Sequence, residues 1–308
     1  TDKELMRTRF LACKEPISPQ FKKISNYTDA EDFAHKFGYP VIIKPANLAK
    51  SLLVLKCNNQ DELETNFNSI SRQISTVYSR HAPDQTPKII IEEFLEGTIH
   101  SVDGFVDNKG KVTILTEITD YQTGYDIGYD DNFHYSRILP TRLSDDQQKQ
   151  LIHTAKLGCS ALGMKNSAAH IEIIMTKKGP RIVEIGARNG GYRERMHKLA
   201  NNIDLLDIQL DLKLGRSPNI TVSKHEPVAV LELFPKQAGI FSGITNENQL
   251  QKLPSLVSFK IKQKLGEHVG KAGDGYKMCA LIILHNPNPK QFEKDLDFVN
   301  ENVRVITD

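Results

Sequence analysis

Two glutamates twelve residues apart, in His170-Ile171-Glu172-Ile173-Ile174-Met175 and Arg181-Ile182-Val183-Glu184-Ile185-Gly186-Ala187-Arg188, have the types and spacing to hold a divalent cation. Both runs are β-branched and apolar, and Thr176-Lys177-Lys178-Gly179-Pro180 between them is turn material, so an antiparallel hairpin is predicted. If Met175 pairs with Arg181 across that five-residue loop, Glu172 faces Glu184 directly. Opposed side chains on one face have Cβ atoms about 4.5–5.5 Å apart, and like charges there destabilise a sheet. A cation between them removes that penalty. Magnesium takes oxygen ligands at about 2.0–2.1 Å, usually one or two carboxylates plus substrate phosphates. The alternative is a solvent-facing hairpin with two unrelated acids. Alternation puts His170, Glu172 and Ile174 on one face, and Ile182, Glu184, Gly186 and Arg188 on one face of the next strand, so polar groups gather at one end. An arginine there suits a phosphate, because its planar fork grips two oxygens at once.

The elements that must position this pair follow from periodicity. Leu5, Met6, Arg9 and Phe10 predict a first helix ending near Lys14, and Thr28-Asp29-Ala30-Glu31 a capping box for a second that stops at Gly38. Tyr39-Pro40-Val41-Ile42-Ile43-Lys44-Pro45 reads as a buried strand, Leu52 to Lys56 as another, and Asp61 to Ser79 as a helix striped with Leu63, Phe67, Ile70 and Ile74. Lys88 to Phe94 is a strand running into Leu95-Glu96-Gly97, a hinge; His100 to Asp107 and Lys111 to Ile118 form a hairpin. Residues 120 to 136 have no clear period and are expected as loop. Ser144 with Gln147 caps a helix stopped at Gly163, and Asp204 to Leu214 is another. After Gly215-Arg216-Ser217-Pro218-Asn219 a separate carboxy-terminal unit is expected, with strands near Ala229–Phe234, Ser255–Lys264 and Lys277–Leu284 and a helix from Pro289 to Val299.

Composition narrows the class. At 308 residues with 39% apolar and 25% charged residues, the chain is globular and large enough for two or three units with their own cores. A net charge of +2 without a basic run argues against nucleic acid. Cys13, Cys57, Cys159 and Cys279 are scattered, so neither zinc nor a disulfide framework is supported. No apolar run approaches the roughly eighteen residues of a membrane span, and no signal-peptide pattern opens the chain, so no membrane partner is expected and the expected compartment is the cytoplasm.

A divalent pair near an arginine points to a nucleotide, yet there is no GxxxxGK[ST] loop and no GxGxxG after a strand. What remains is a site built from lysines on strands. On Asp2-Lys3 with Met6-Arg7, Val41-Ile42-Ile43-Lys44-Pro45, Ile91-Glu92-Glu93-Phe94-Leu95-Glu96-Gly97, His170-Ile171-Glu172 and Glu184-Ile185-Gly186-Ala187-Arg188-Asn189-Gly190-Gly191, the chain resembles the ATP-grasp superfamily of carboxylate-amine ligases. Each motif alone is weak; five in this order make a specific signal. Gly186, where many members have Asn, is most similar to the L-amino-acid ligase branch. The resemblance implies an α+β ATP-grasp fold over residues 1–217, in two lobes of about 1–88 and 89–217 that sandwich the nucleotide, and a small α+β lid over 218–308.

It also implies roles. Lys3 and Lys44 lie along the triphosphate; Glu92, Glu93 and the Leu95 backbone meet the adenine edge; Glu172 and Glu184 hold magnesium, with manganese as the alternative ion; Arg188 is the catalytic oxyanion donor. Lys44 as the snorkelling end of a buried strand, and Arg188 in a structural ion pair, are the plainer readings. Tyr192, Arg193 and Arg195 read equally as pocket lining or as a helix surface. Two departures stand out. Ile99 occupies the place where many members carry a ribose-binding Glu, with His100 next to it as a candidate for that role or as a solvent-facing residue. The loop Ala46-Asn47-Leu48-Ala49-Lys50-Ser51 has fewer glycines than usual, leaving Lys50 and Ser51 to compensate with side chains.

The implied reaction is ATP-dependent activation of a small carboxylate as an acyl phosphate, followed by attack of an amine, with amino-acid or related substrates as partners and a homo-oligomer left open. Two rivals are a bicarbonate-using enzyme of the biotin-carboxylase kind and a nucleotide-binding protein that has lost catalysis. The resemblance further implies a Rossmann-like domain ahead of the Asp2-Lys3 helix. Within residues 1–308 no segment is expected to fill that role.

Overall fold

The computed structural model describes residues 2–48 and 52–308, which fall into two compact units. Lys50 and Ser51 lie outside the described residues. Unit one comprises Thr1–Gly97, Gln150–Gly163 and Ile171–Ile185; unit two comprises Thr98–Lys149, Met164–His170 and Gly186–Asp308.

In unit one a four-stranded antiparallel sheet runs in the order Phe21–Ile24, Ile89–Glu93, Val41–Pro45, Leu55–Cys57. Val41, Ile43 and Ile91 point to one face and pack with Ala30, Phe33, Leu63 and Ile70 of the helices Tyr27–Phe37 and Gln60–His81. Alternation therefore sends Lys44 and Glu92 to the opposite face. The register pairs Ile42 with Glu92 and Lys44 with Ile90, so Lys44 and Glu92 are diagonal neighbours within reach of long side chains.

Several local expectations shift. The second helix is capped by Asn26, whose side chain accepts from Asp29 N while Asp29 accepts from Ser25 N, so the capping pair lies two residues before the expected one. The first helix ends at Phe10 because Ala12 N and Cys13 N turn back onto Arg9 O and Phe10 O, tightening the last turn. The hairpin strands Ser167–Thr176 and Gly179–Gly186 are joined by Lys177-Lys178 alone. Thr176 Oγ1 donates to Gly179 O at 2.7 Å and accepts from Lys178 N at 3.1 Å, and Gly179 takes φ 94°, which closes a shorter turn than five residues. The face-to-face register of Glu172 and Glu184 was built on the longer turn, and that turn is absent.

The second hairpin strand is also irregular. A Cβ on Gly158 would collide with the Cδ1 atoms of both Ile182 and Ile185. Residues three apart in a regular strand face opposite ways, so the alternation changes phase between them.

In unit two, six strands of a sheet run antiparallel in the order Leu256–Ile261, Ala280–His285, Val228–Leu233, His134–Leu139, Val112–Thr123, Gly97–Val106. One face carries Leu231, Ile282, Phe292 and Leu296, with the helix Pro289–Asn302; the other carries Val228, Val230 and Leu139 against Met196 and Ala200 of the helix Arg193–Asn201. The strand His134–Leu139 falls partly in the segment expected as loop. It is paired on both edges, to Val112–Thr123 and Val228–Leu233, and so draws its stability from partners far along the chain. That pairing also puts the segment after residue 218 in one compact unit with residues 98–149. Among the described residues no helix is long and apolar enough to cross a membrane.

Candidate functional site

Unit one gathers five charged residues of the motifs. Lys44 is 6% exposed, and its Nζ lies 2.5 Å from Glu92 Oε2. The other oxygen of Glu92 accepts from Arg7 Nε at 2.8 Å, and Arg7 is fully buried. Lys3 Nζ donates to Leu48 O at 2.8 Å and lies 3.3 Å from Glu184 Oε2. Lys3 and Arg7 project from successive turns of the helix Lys3–Phe10, which Asp2 caps by accepting from Leu5 N at 3.1 Å.

The electrostatics are asymmetric. Burial pushes the Glu92 carboxyl up, but the charges of Arg7 and Lys44 outweigh it and bring it to about 2. Lys44 moves down too: burial lowers it first, and although Glu92 opposes, Arg7 and Lys3 add to the lowering. The geometry gives the imbalance directly: one buried carboxylate, Glu92, serves two buried cations, Arg7 and Lys44. This face is short of negative charge, and a phosphate would supply it.

Glu92 therefore acts between Arg7 and Lys44, with both its oxygens engaged, which is not the adenine-edge role expected for it. Glu93, on the other side of the strand, accepts from Gln20 N at 3.2 Å, and its own N donates to Gln20 O. Leu95 is half-buried just past that strand. Glu172 and Glu184 are both half-buried. Among the described residues no group of three or more metal-ligating side chains occurs; a cation held on the expected Glu172–Glu184 pair would take two carboxylates from the protein and its other ligands from phosphate and water oxygens. That donor set fits magnesium or manganese.

Unit two holds Arg188 and His100. Arg188 is exposed, its Nη1 donating to Asn189 O at 2.8 Å. His100 is neither solvent-facing nor open for a ribose: it is 3% exposed, Nδ1 is 2.8 Å from Asp120 Oδ1, and Nε2 is 2.6 Å from Thr98 Oγ1. Of Tyr192, Arg193 and Arg195, Arg195 is exposed, Tyr192 donates to Glu232 Oε1 at 2.8 Å, and Arg193 is fully buried.

Arg193 belongs to a cluster that sequence reasoning missed. Asp103 Oδ1 is 2.7 Å from His170 Nδ1; Oδ2 has Arg193 Nε at 3.2 Å and His197 Nε2 at 3.7 Å, both ion-pair distances without hydrogen-bond alignment. Arg193 also donates to Ser101 Oγ at 2.9 Å, Tyr121 Oη at 2.6 Å and Gly191 O at 3.3 Å. A Cβ on Gly190 would collide with the His170 ring, so the loop after Arg188 is seated on this cluster. Burial raises the Asp103 carboxyl, but its basic neighbours hold it far below the usual range. Arg7, like Lys3, lies on the buried face of its helix with Met6 and Phe10, and that spacing is the signal that could have found it; nothing in Val102-Asp103-Gly104 signals a buried acid.

A family model described as an ATP-grasp domain matches residues 37–194. The chain is 26% identical over 250 residues to the alanine–anticapsin ligase of Bacillus subtilis, covering 76% of this chain and 52% of that enzyme. It is also 26% identical over 300 residues to the L-arginine-specific L-amino acid ligase of Bacillus subtilis, covering 94% of this chain and 68% of the relative. Among solved structures, the L-amino acid ligase from Bacillus licheniformis matches with a TM-score of 0.83 at 17% identity, over 100% of this chain and 73% of that one. That likeness shows a shared fold. The chain spans about half the length of the first of these relatives.

Proposed function

We propose, from the premise that this chain belongs to the ATP-grasp family, that it is the nucleotide-binding part of an ATP-dependent ligase that activates a small carboxylate as an acyl phosphate and joins it to an amine. Amino acids or related compounds are the substrate class, in keeping with the ligases it resembles. The observation that carries this reading is Lys44, a buried ammonium that shares its one buried carboxylate with Arg7. Lysine on a strand is a point charge suited to phosphate oxygens, and a triphosphate would complete the neutralisation that Glu92 leaves unfinished.

In this reading Lys3 and Lys44 bind the phosphates, and Glu93 with the Leu95 backbone borders the adenine. Glu92 holds Lys44, and His100 positions its neighbours through Asp120. Glu172 and Glu184 would hold magnesium or manganese, which when bound offsets charge on the phosphate oxygens. An extra residue accommodated between Ile182 and Ile185 would return Glu184 to the place opposite Glu172 that a two-residue turn alone offsets by one. Arg188 is assigned the oxyanion of the amine's attack, where losing one donor typically costs about 3–4 kcal/mol.

The test is ADP release by the purified protein across pairs of amino acids and, separately, with bicarbonate. Amino-acid dependence is expected, with Glu172→Gln and Glu184→Gln each abolishing release while melting as the parent does. Wild-type turnover in either variant would remove the metal assignment, and dependence on bicarbonate alone would replace the ligase reading with carboxylation.

A further inference from the structure

We infer that Arg7 is a positioning residue, holding the phosphate-facing Lys44 and the metal-facing Glu184 in one frame; the inference rests on the site reading above. Arg7 touches neither proposed ligand. Its guanidinium, fully buried, spends each face of its fork on a different element: Nε donates to Glu92 Oε1 at 2.8 Å, Nη1 to Ile182 O at 3.0 Å and Nη2 to Val183 O at 2.8 Å. Through Glu92 it reaches Lys44, and through the two carbonyls it grips the strand immediately before Glu184.

The two carbonyls are the telling part. In a regular strand successive C=O groups point to opposite edges, so one planar group can take both only where the strand departs from regular pleat. The phase change between Ile182 and Ile185, both packed on Gly158, is an independent sign of that departure at the same place. Arg7 thus caps the irregularity that sets the direction of Glu184. One turn earlier on the same helix, Lys3 reaches Glu184 itself and the Leu48 carbonyl beyond Lys44, so the helix Lys3–Phe10 spans both halves of the site. Lysine at position 7 would keep the charge and lose the fork, since an ammonium is a point donor that cannot hold a carboxylate and two diverging carbonyls in fixed geometry.

The experiment is a titration of Mn²⁺ into the protein with saturating ADP, read by loss of the free-ion electron paramagnetic resonance signal, beside ADP affinity without metal and a thermal melt. Arg7→Lys is expected to weaken Mn²⁺ binding by about 10- to 100-fold, the usual effect of removing a partner that orients a ligating carboxylate. Metal-free ADP affinity should fall by less, no more than about 3-fold, because Glu92 still pairs with Lys44 once the fork is gone, and the melt should stay cooperative; a purely structural loss would lower both affinities to the same extent. Arg7→Gln, which keeps a donor for Glu92 but is too short for the strand carbonyls, should behave alike. Parent-like Mn²⁺ affinity in either folded variant overturns the inference, as does failure of both to fold. A parent protein that binds ADP but no Mn²⁺ instead overturns the metal assignment beneath it.

Discussion

Each unit buries one carboxylate among several basic groups, and the two arrangements differ in whether they can neutralise themselves. Asp103 faces two imidazoles and a guanidinium, and the guanidinium alone matches its charge. Its guanidinium is further occupied by Ser101, Tyr121 and Gly191. Glu92 is one carboxylate placed between two cationic side chains, Arg7 and Lys44. That side retains a positive surplus. Buried charge that balances itself is scaffolding; buried charge left in surplus is a place for an anion.

The comparison breaks most visibly at Asp103. Asp103→Asn removes the single acid from between buried bases and is expected to cost about 3–5 kcal/mol of stability, read as a lower denaturation midpoint, with ADP affinity in unit one unchanged within about 2-fold. A large fall in ADP affinity without loss of stability would make that cluster a ligand site too.

Acid acts next. The Glu92 carboxyl is depressed to about 2 from 4.5, so the stability it contributes is present above pH 4.5 and is lost as pH falls from there toward 2. That shift corresponds to roughly 3 kcal/mol. Equilibrium unfolding between those pH values should lose part of its pH dependence in Glu92→Gln, and an unchanged profile would show that the charge is worth little to folding.

The smallest effect expected is in Lys44→Met. Glu92 keeps Arg7, and an apolar chain replaces a cation lowered by burial and by its positive neighbours, so stability should move by less than about 1.5 kcal/mol. ATP affinity should fall by about 10- to 100-fold, or about 1.4–2.7 kcal/mol, in calorimetry. Loss of stability without loss of affinity would reverse the roles given to the two clusters.

How much was legible depends on the range of the interaction. The strand before Lys44, the helix stripe at Leu63, Ile70 and Ile74 and the Gly38 stop rest on local periodicity and glycine's tolerance of positive φ, and all three appear where expected. The strand His134–Leu139 escaped because its hydrogen bonds come from segments on either side of it in space, with no short-range pattern to mark it. Glu92 and Glu93 illustrate the same limit at the site: adjacent and chemically identical, they are separated by which face of one strand each takes and by the Arg7 opposite, 85 residues away along the chain.

The sequence by itself determined which chemistry-bearing residues exist and in what order, Lys3, Lys44, Glu92, Glu172, Glu184 and Arg188, because type and alternation are properties of short segments. Only the tertiary structure decided what each is paired with. It closed the hairpin on Thr176, occupied both nitrogens of His100, and gave Arg7 the acid of one strand and the carbonyls of another. A buried charge takes its meaning from the neighbours that replace water around it, and those neighbours are brought there by the fold.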